Sequence, residues 1–206
     1  SERRRTLDRT AEQIRRQRKE VSRLERDETR LAKLIDDLAR TLKGSPPPRG
    51  GPAPPPRASR NVVVPEPDSR PLQAFSLLKG QLRLPVRGEL AGRFGTPRQG
   101  GSGAAKGVFI AAREGEEVRA VAAGRVVFAD WMRGFGNLLI LDHGGDYMTI
   151  YGNNEAILKR PGDAVHGGDA VAIVGASGGA ETSGLYFEIR HQGRAFDPLS
   201  WVSPKQ

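Results

Sequence analysis

Asn137-Leu138-Leu139-Ile140-Leu141-Asp142, then His143-Gly144-Gly145-Asp146, then Tyr147-Met148-Thr149-Ile150-Tyr151 read as a β-hairpin. Two runs rich in β-branched, leucine and aromatic residues flank a Gly-Gly pair, the residue type that a tight reversal favours. Working outward, Val118-Arg119-Ala120-Val121 and Arg125-Val126-Val127-Phe128-Ala129 read as a second strand pair turned at Ala123-Gly124. Ala170-Val171-Ala172-Ile173-Val174 and Leu185-Tyr186-Phe187-Glu188-Ile189-Arg190 add two strands. Short segments at Leu84-Pro85-Val86, Gly88-Glu89-Leu90 and Arg93-Phe94-Gly95 precede them. Many short strands with Gly-rich turns predict a mainly β domain over 82–206, an antiparallel and partly barrel-like sheet.

The N-terminal part follows a different period. Residues 1–43 read as one α-helical coiled-coil segment, the C-terminal part of a longer coiled coil. Leu7, Ile14, Val21, Glu28, Ile35 and Leu42 fall on the a positions of a heptad, and Thr10, Gln17, Leu24, Leu31 and Leu38 on the d positions. The seam is polar at its start and apolar from Val21 onward apart from Glu28. A lone amphipathic helix cannot bury such a stripe, so the pattern calls for a partner: an earlier helix, a second copy or a neighbouring molecule.

Residues 44–68 hold Pro46-Pro47-Pro48 and Pro54-Pro55-Pro56 among glycines. Proline fixes φ and removes a donor, so this stretch reads as a semi-extended linker. Residues 69–81 read as a short amphipathic helix with Ser69 as N-cap, an apolar stripe of Leu72, Phe75, Leu77 and Leu78, and Gly80 as terminator.

Composition excludes several classes. The chain of 206 residues has no cysteine, which rules out a disulfide framework and zinc-thiolate sites. No apolar run is long enough for a membrane-spanning helix. No signal peptide is visible, and residue 1 falls inside a charged helical pattern, which reads as a trimmed N-terminus. The net charge of +9 is uneven. Residues 1–43 carry 14 basic and 9 acidic side chains, whereas residues 82–206 carry 14 and 13. The excess sits on a helix without interleaved aromatics, which argues against nucleic acid as a partner.

The motif series Lys106-Gly107-Val108-Phe109-Ile110, Gly115-Glu116-Glu117-Val118-Arg119-Ala120, Gly124-Arg125-Val126, Gly134-Phe135-Gly136, Tyr151-Gly152-Asn153, Pro161-Gly162-Asp163-Ala164-Val165, Gly175-Ala176-Ser177-Gly178 and Leu185 to Arg190 resembles the LytM (lysostaphin-type) zinc endopeptidases of bacterial cell wall. The resemblance covers roughly the last 120 residues. Active members place metal ligands and catalytic histidines at positions that here hold Ala105, Phe109, Asn153, Gly184 and Tyr186. Such a set cannot supply the three or so protein ligands of a catalytic zinc site. The resemblance therefore implies a degenerate domain with no catalytic residues, no metal and no cofactor.

Within that family, members lacking the ligands and preceded by a coiled coil resemble EnvC-type murein hydrolase activators. Ala129-Asp130-Trp131, Gly134-Phe135-Gly136, Tyr151-Gly152-Asn153 and Ser177-Gly178-Gly179 carry the closer match. By that resemblance the degenerate groove binds a periplasmic zinc amidase that cuts N-acetylmuramoyl-L-alanine bonds in peptidoglycan. Lys106, Phe109, Leu138, Tyr151, Asn153, Tyr186 and Arg190 would be the contact surface. Tyr and Arg suit a binding hot spot, and such a groove suits an amphipathic helix. The helix at 69–81 would be an autoinhibitory arm lying in the groove. The coiled coil would reach an FtsEX-type division transporter, in the periplasm at the division site. Two alternatives stand beside this reading: a module that binds peptidoglycan without an amidase, and a zinc endopeptidase with unusual ligands.

His143, His166 and His191 show no ligand spacing. Gly175-Ala176-Ser177-Gly178-Gly179 lacks the lysine and helix of a phosphate-binding loop and reads as a turn.

Overall fold

The computed structural model describes residues 2–44, 74–96 and 104–203. The linker, Leu72 and the first part of the expected 69–81 helix lie outside the described residues. An α-helix, α1, spans Glu2–Gly44. Among the described residues ten strands follow: β1 (Glu89–Gly92), β2 (Val108–Ala111), β3 (Glu117–Arg119), β4 (Gly124–Met132), β5 (Gly136–Asp142), β6 (Tyr147–Ile157), β7 (Ala164–Val165), β8 (Ala170–Val174), β9 (Gly184–His191) and β10 (Arg194–Phe196).

The strands form one antiparallel sheet in the order β1-β2-β9-β6-β5-β4-β7, with β10 on β9, β8 on β6 and β3 on β8. The two ends of this path do not pair, so the sheet is not closed into a barrel. The β5–β6 hairpin forms over Gly144-Gly145, with Asp142 opposite Met148. Both glycines have positive φ, 77° and 60°, as the reversal requires. The expected β3–β4 hairpin does not form. β3 pairs with β8 instead, Val118 opposite Ala172. The intervening segment is drawn into the core, where Ala120 and Ala122 are buried and the Val121 amide donates to the Tyr151 hydroxyl at 3.2 Å.

Side chains alternate across a strand, so each strand feeds two faces. One face carries the main core: Leu139 and Leu141 of β5, Tyr151 of β6, Leu185, Phe187 and Ile189 of β9, Val108 and Ile110 of β2, and Val171, Ala172 and Val174 of β8. The other carries Leu138 and Ile140 of β5, Met148 and Ile150 of β6, and Tyr186 of β9.

That second face is covered by α1. Leu31 and Ile35 of the helix are fully buried there with Phe135, and Leu34, Leu38, Ala39 and Leu42 pack beside them. Burying a leucine or isoleucine side chain contributes about 2 kcal/mol each. The stripe that the heptad pattern picks out is thus satisfied by the sheet, and none of the three partners expected for it is needed over this half. Polar contacts bracket the apolar ones. Lys43 pairs with Asp146 at 3.3 Å, and Asp36 lies against Gly193. Nearer the N-terminus Leu7 and Ile14 stay exposed.

Of the 69–81 segment, the described part is a 3-10 helix of four residues, Phe75–Leu78. Phe75 is buried in the main core, stacked between His143 at 4.5 Å and Trp201 at 5.2 Å, with Tyr147 at 5.1 Å. Tyr147 stacks in turn on His191 at 4.2 Å. Two of the three histidines, separate in sequence, therefore meet in one aromatic cluster, where they act as packing.

Candidate functional site

Four of the five positions assigned to ligands, Phe109, Asn153, Gly184 and Tyr186, come together where β2, β9 and β6 adjoin. Phe109 pairs with Tyr186 across these strands, and Gly152, next to Asn153, pairs with Tyr186 from the other side. The Phe109 ring lies over Gly184. A Cβ at 184 would stand 2.7 Å from Cε1 and Cζ of that ring and 2.5 Å from the Ile110 carbonyl oxygen. Ala105 lies outside the strand, bonded through its amide to the Thr96 carbonyl at 2.9 Å. Lys106 is exposed.

Asn153 works as a staple. Its backbone has φ 67°, left-handed, a region that asparagine tolerates better than most residues. Its Nδ2 donates to the carbonyls of Gly175 at 3.0 Å and Gly184 at 2.9 Å, and its Oδ1 accepts from the Gly178 amide at 2.8 Å. Its own amide donates to the Phe135 carbonyl at 2.6 Å. One buried side chain thus ties β6, the 175–178 turn and β9 together. Gly178 and Gly136 are pressed against this junction. A Cβ at 178 would meet Asn153 Oδ1 at 2.9 Å, and one at 136 would collide with the turn at Ser177 and Gly178.

Zinc does not fit here. Three of the five positions hold Ala, Phe and Gly, which have no donor atom in their side chains. Asn153 is spent on the backbone. The Tyr186 hydroxyl donates to the Glu188 carboxylate. Among the described residues no group of three or more His, Cys, Asp or Glu side chains converges as a metal cluster.

Glu188 is the functional candidate that sequence reasoning missed. It is buried, and beside accepting from Tyr186 it receives Arg190 Nε at 2.6 Å. Arg190 also donates through Nη1 to the Gly193 carbonyl at 3.3 Å. Tyr186, Glu188 and Arg190 form a polar ladder on one face of β9, because residues two apart on a strand share a face. The Glu-x-Arg spacing was the available signal. Arg190 and the neighbouring Met148 open onto a cavity of about 440 Å³ at the seam with α1, lined also by Asp36, Lys43 and Asp146.

Three expected contact residues sit elsewhere than an open groove. Tyr151 is fully buried on the opposite face, in the main core. Burial pushes its hydroxyl up to about 12. Leu138 is fully buried beneath Phe135 and α1, and Asn153 is buried in the staple. The expected arm residues Phe75 and Leu78 pack on the main core, away from this face, and Leu77 is exposed. Phe135, absent from the expected set, closes the face from above, its ring 5.4 Å from that of Tyr186.

The face is therefore apolar at its centre (Leu138, Ile140, Ile150), aromatic at one side (Phe109, Phe135, Tyr186) and charged at the other (Arg190, Asp146), with an amphipathic helix seated on it.

The model of peptidase family M23 matches residues 103–198. The murein hydrolase activator EnvC of Escherichia coli K12 is 44% identical over 124 residues, which is 60% of this chain and 29% of that protein. The murein hydrolase activator NlpD of the same organism is 38% identical over 121 residues, 58% of this chain and 31% of that protein. The chain thus spans under a third of the length of these curated relatives. Among solved structures, a zinc-containing peptidase from Vibrio cholerae superposes with a TM-score of 0.52 at 27% identity, over 56% of this chain and 38% of that one.

Proposed function

We propose, for a chain whose residues 103–198 match the model of peptidase family M23, that it is a non-catalytic activator of peptidoglycan amidases in the bacterial cell envelope. The observation that carries this reading is the sheet face itself. It is apolar, it includes Tyr186, one of the positions that the resemblance assigns to ligands in active peptidases, and an amphipathic helix is seated on it. A surface that buries Leu31 and Ile35 of one helix suits a helix of another protein with the same spacing. The names of the relatives EnvC and NlpD support hydrolase activation as the outcome of such binding.

The autoinhibitory element in this proposal is α1 rather than the 69–81 segment, because α1 lies on the face and Phe75 lies in the main core. Tethering through residues 45–73 keeps α1 at high effective concentration, so a partner must compete with it. Binding of the partner to the open state shifts the population toward that state. The exposed N-terminal half of α1, with Leu7 and Ile14, is free to join a coiled coil that links the protein to an FtsEX-type division transporter in the periplasm.

The test is dye release from labelled sacculi by a periplasmic amidase, with the chain and with a Leu31→Ala/Ile35→Ala variant. Release that needs both proteins, and rises with the variant, supports the proposal. Release by the chain alone makes it an enzyme. Binding to sacculi without any change in release leaves a wall-binding module.

A further inference from the structure

We infer that Asp27 sets how tightly α1 holds the sheet, and that it holds the helix weakly enough to be exchanged for a partner. The inference rests on the proposal that α1 occupies the partner's place. The covering stripe runs Leu31, Leu34, Ile35, Leu38 and Leu42, at helical spacing. One turn before Leu31 the same stripe reaches residue 27, where continued apolar packing would call for another leucine. The residue there is Asp27, and it is 3% exposed.

Asp27 is pressed into the Gly134 turn that leads into β5. The three atoms closest to a Cβ built at Gly134 are all from Asp27: Oδ2 at 2.7 Å, Cβ at 2.8 Å and Cγ at 2.9 Å. Gly134 has φ 84°, so glycine both makes the turn and leaves room for the carboxylate. One carboxylate oxygen, Oδ1, meets Arg30 at 3.3 Å, and the Arg30 side chain is 54% exposed. No donor among the described residues reaches Oδ2, which is buried.

A buried acceptor without a donor forfeits its hydration and receives nothing in return, and for a charged group this is the costly case. The cost falls only on the closed state. When α1 lifts away, Oδ2 regains water. Asp27 therefore subtracts from the hold that Leu31 and Ile35 supply. The rest of the stripe gives α1 its address on the sheet, and Asp27 keeps its residence there short.

The experiment is amide hydrogen exchange on the full chain, comparing wild type with Asp27→Leu, Asp27→Asn and the exposed control Asp37→Asn. Exchange at residues 28–42 reads the opening of α1. Asp27→Leu should slow it about ten- to a hundred-fold, with Asp27→Asn between it and wild type, since an amide is cheaper to bury than a carboxylate. Asp37→Asn should leave it unchanged. Equal or faster exchange in both Asp27 variants overturns the inference, and Asp27→Asn, nearly isosteric, guards against a packing failure in the leucine variant. Sacculus dye release on the same proteins separates the two ideas. Slower exchange with unchanged amidase-dependent release upholds Asp27 and removes α1 as the restraining element, whereas release that no longer needs both proteins sinks the activator proposal. Unchanged exchange sinks the role of Asp27 whatever release does.

Discussion

The ring of Phe109 rests on the backbone of Gly184, so that any side chain at 184 would enter the space the ring fills. This one contact fills the space between β2 and β9 at these two positions with an aromatic ring.

Gly184→Ala should therefore destabilise the β domain by about 2 kcal/mol, in the range of overpacked cores. Phe109→Ala in the same chain should recover only part of this, because the Ile110 carbonyl oxygen remains 2.5 Å from the new Cβ. A double-mutant cycle by urea unfolding measures the coupling. Additive effects would mean that the ring does not press on residue 184.

Asn153→Ala should cost more than Asn153→Gly. Both remove the bonds to Gly175, Gly184 and Gly178, each worth about 1 kcal/mol. Alanine adds strain at φ 67°, on the order of 1 kcal/mol. Thermal unfolding of the two variants gives the order, and equal midpoints would remove backbone strain from the account.

Arg190→Ala should be a stability variant, contrary to the expectation that Arg190 is only a contact residue. It leaves the Glu188 carboxylate buried with the Tyr186 hydroxyl as its remaining hydrogen-bond partner. Breaking a buried pair from one side costs about 3–5 kcal/mol. Replacing both residues together, as Glu188→Leu/Arg190→Leu, should be milder. Denaturant midpoints decide it, and a single variant as stable as wild type would return Arg190 to a surface role.

Stability should fall on mild acidification through His143. Burial pulls this imidazole down from 6.5 to about 4. Its Nδ1 lies 2.7 Å from the Ala123 carbonyl oxygen, so Nδ1–H donates there, and Nε2 lies 2.7 Å from the Thr149 hydroxyl. Between pH 6.5 and about 4 the unfolded chain binds a proton that the folded chain refuses. The stabilisation is therefore complete above the window and lost as pH falls through it. One such group accounts for about 3 kcal/mol across the window. Urea unfolding from pH 7.5 downward, against a His143→Gln control with a flatter profile, tests the assignment.

Much of the strand content was legible in the sequence. The runs at 137–142 and 147–151 alternate between two buried faces around a Gly-Gly turn, and that pattern is local. That Ala105, Phe109 and Gly184 offer no side-chain donor atom was legible as well, since this follows from residue type in any fold. Pairing was not. β3 chose β8 over the adjacent β4, because the segment between β3 and β4 is pulled inward by the Tyr151 hydroxyl, which comes from 30 residues away in the chain. Glu188 looked like an ordinary strand residue until Tyr186 and Arg190 enclosed it.

The sequence by itself determined that α1 has one apolar stripe, and hence that something must cover it. What covers it was decided by tertiary structure alone. A stripe of Leu31, Ile35 and Leu38 fits a second helix and a flat apolar sheet equally well, since burial is proportional to area and indifferent to the partner's backbone. Only the fold shows that β5, β6 and β9 leave such a face unpaired, and that Phe75 is already committed to the core behind it.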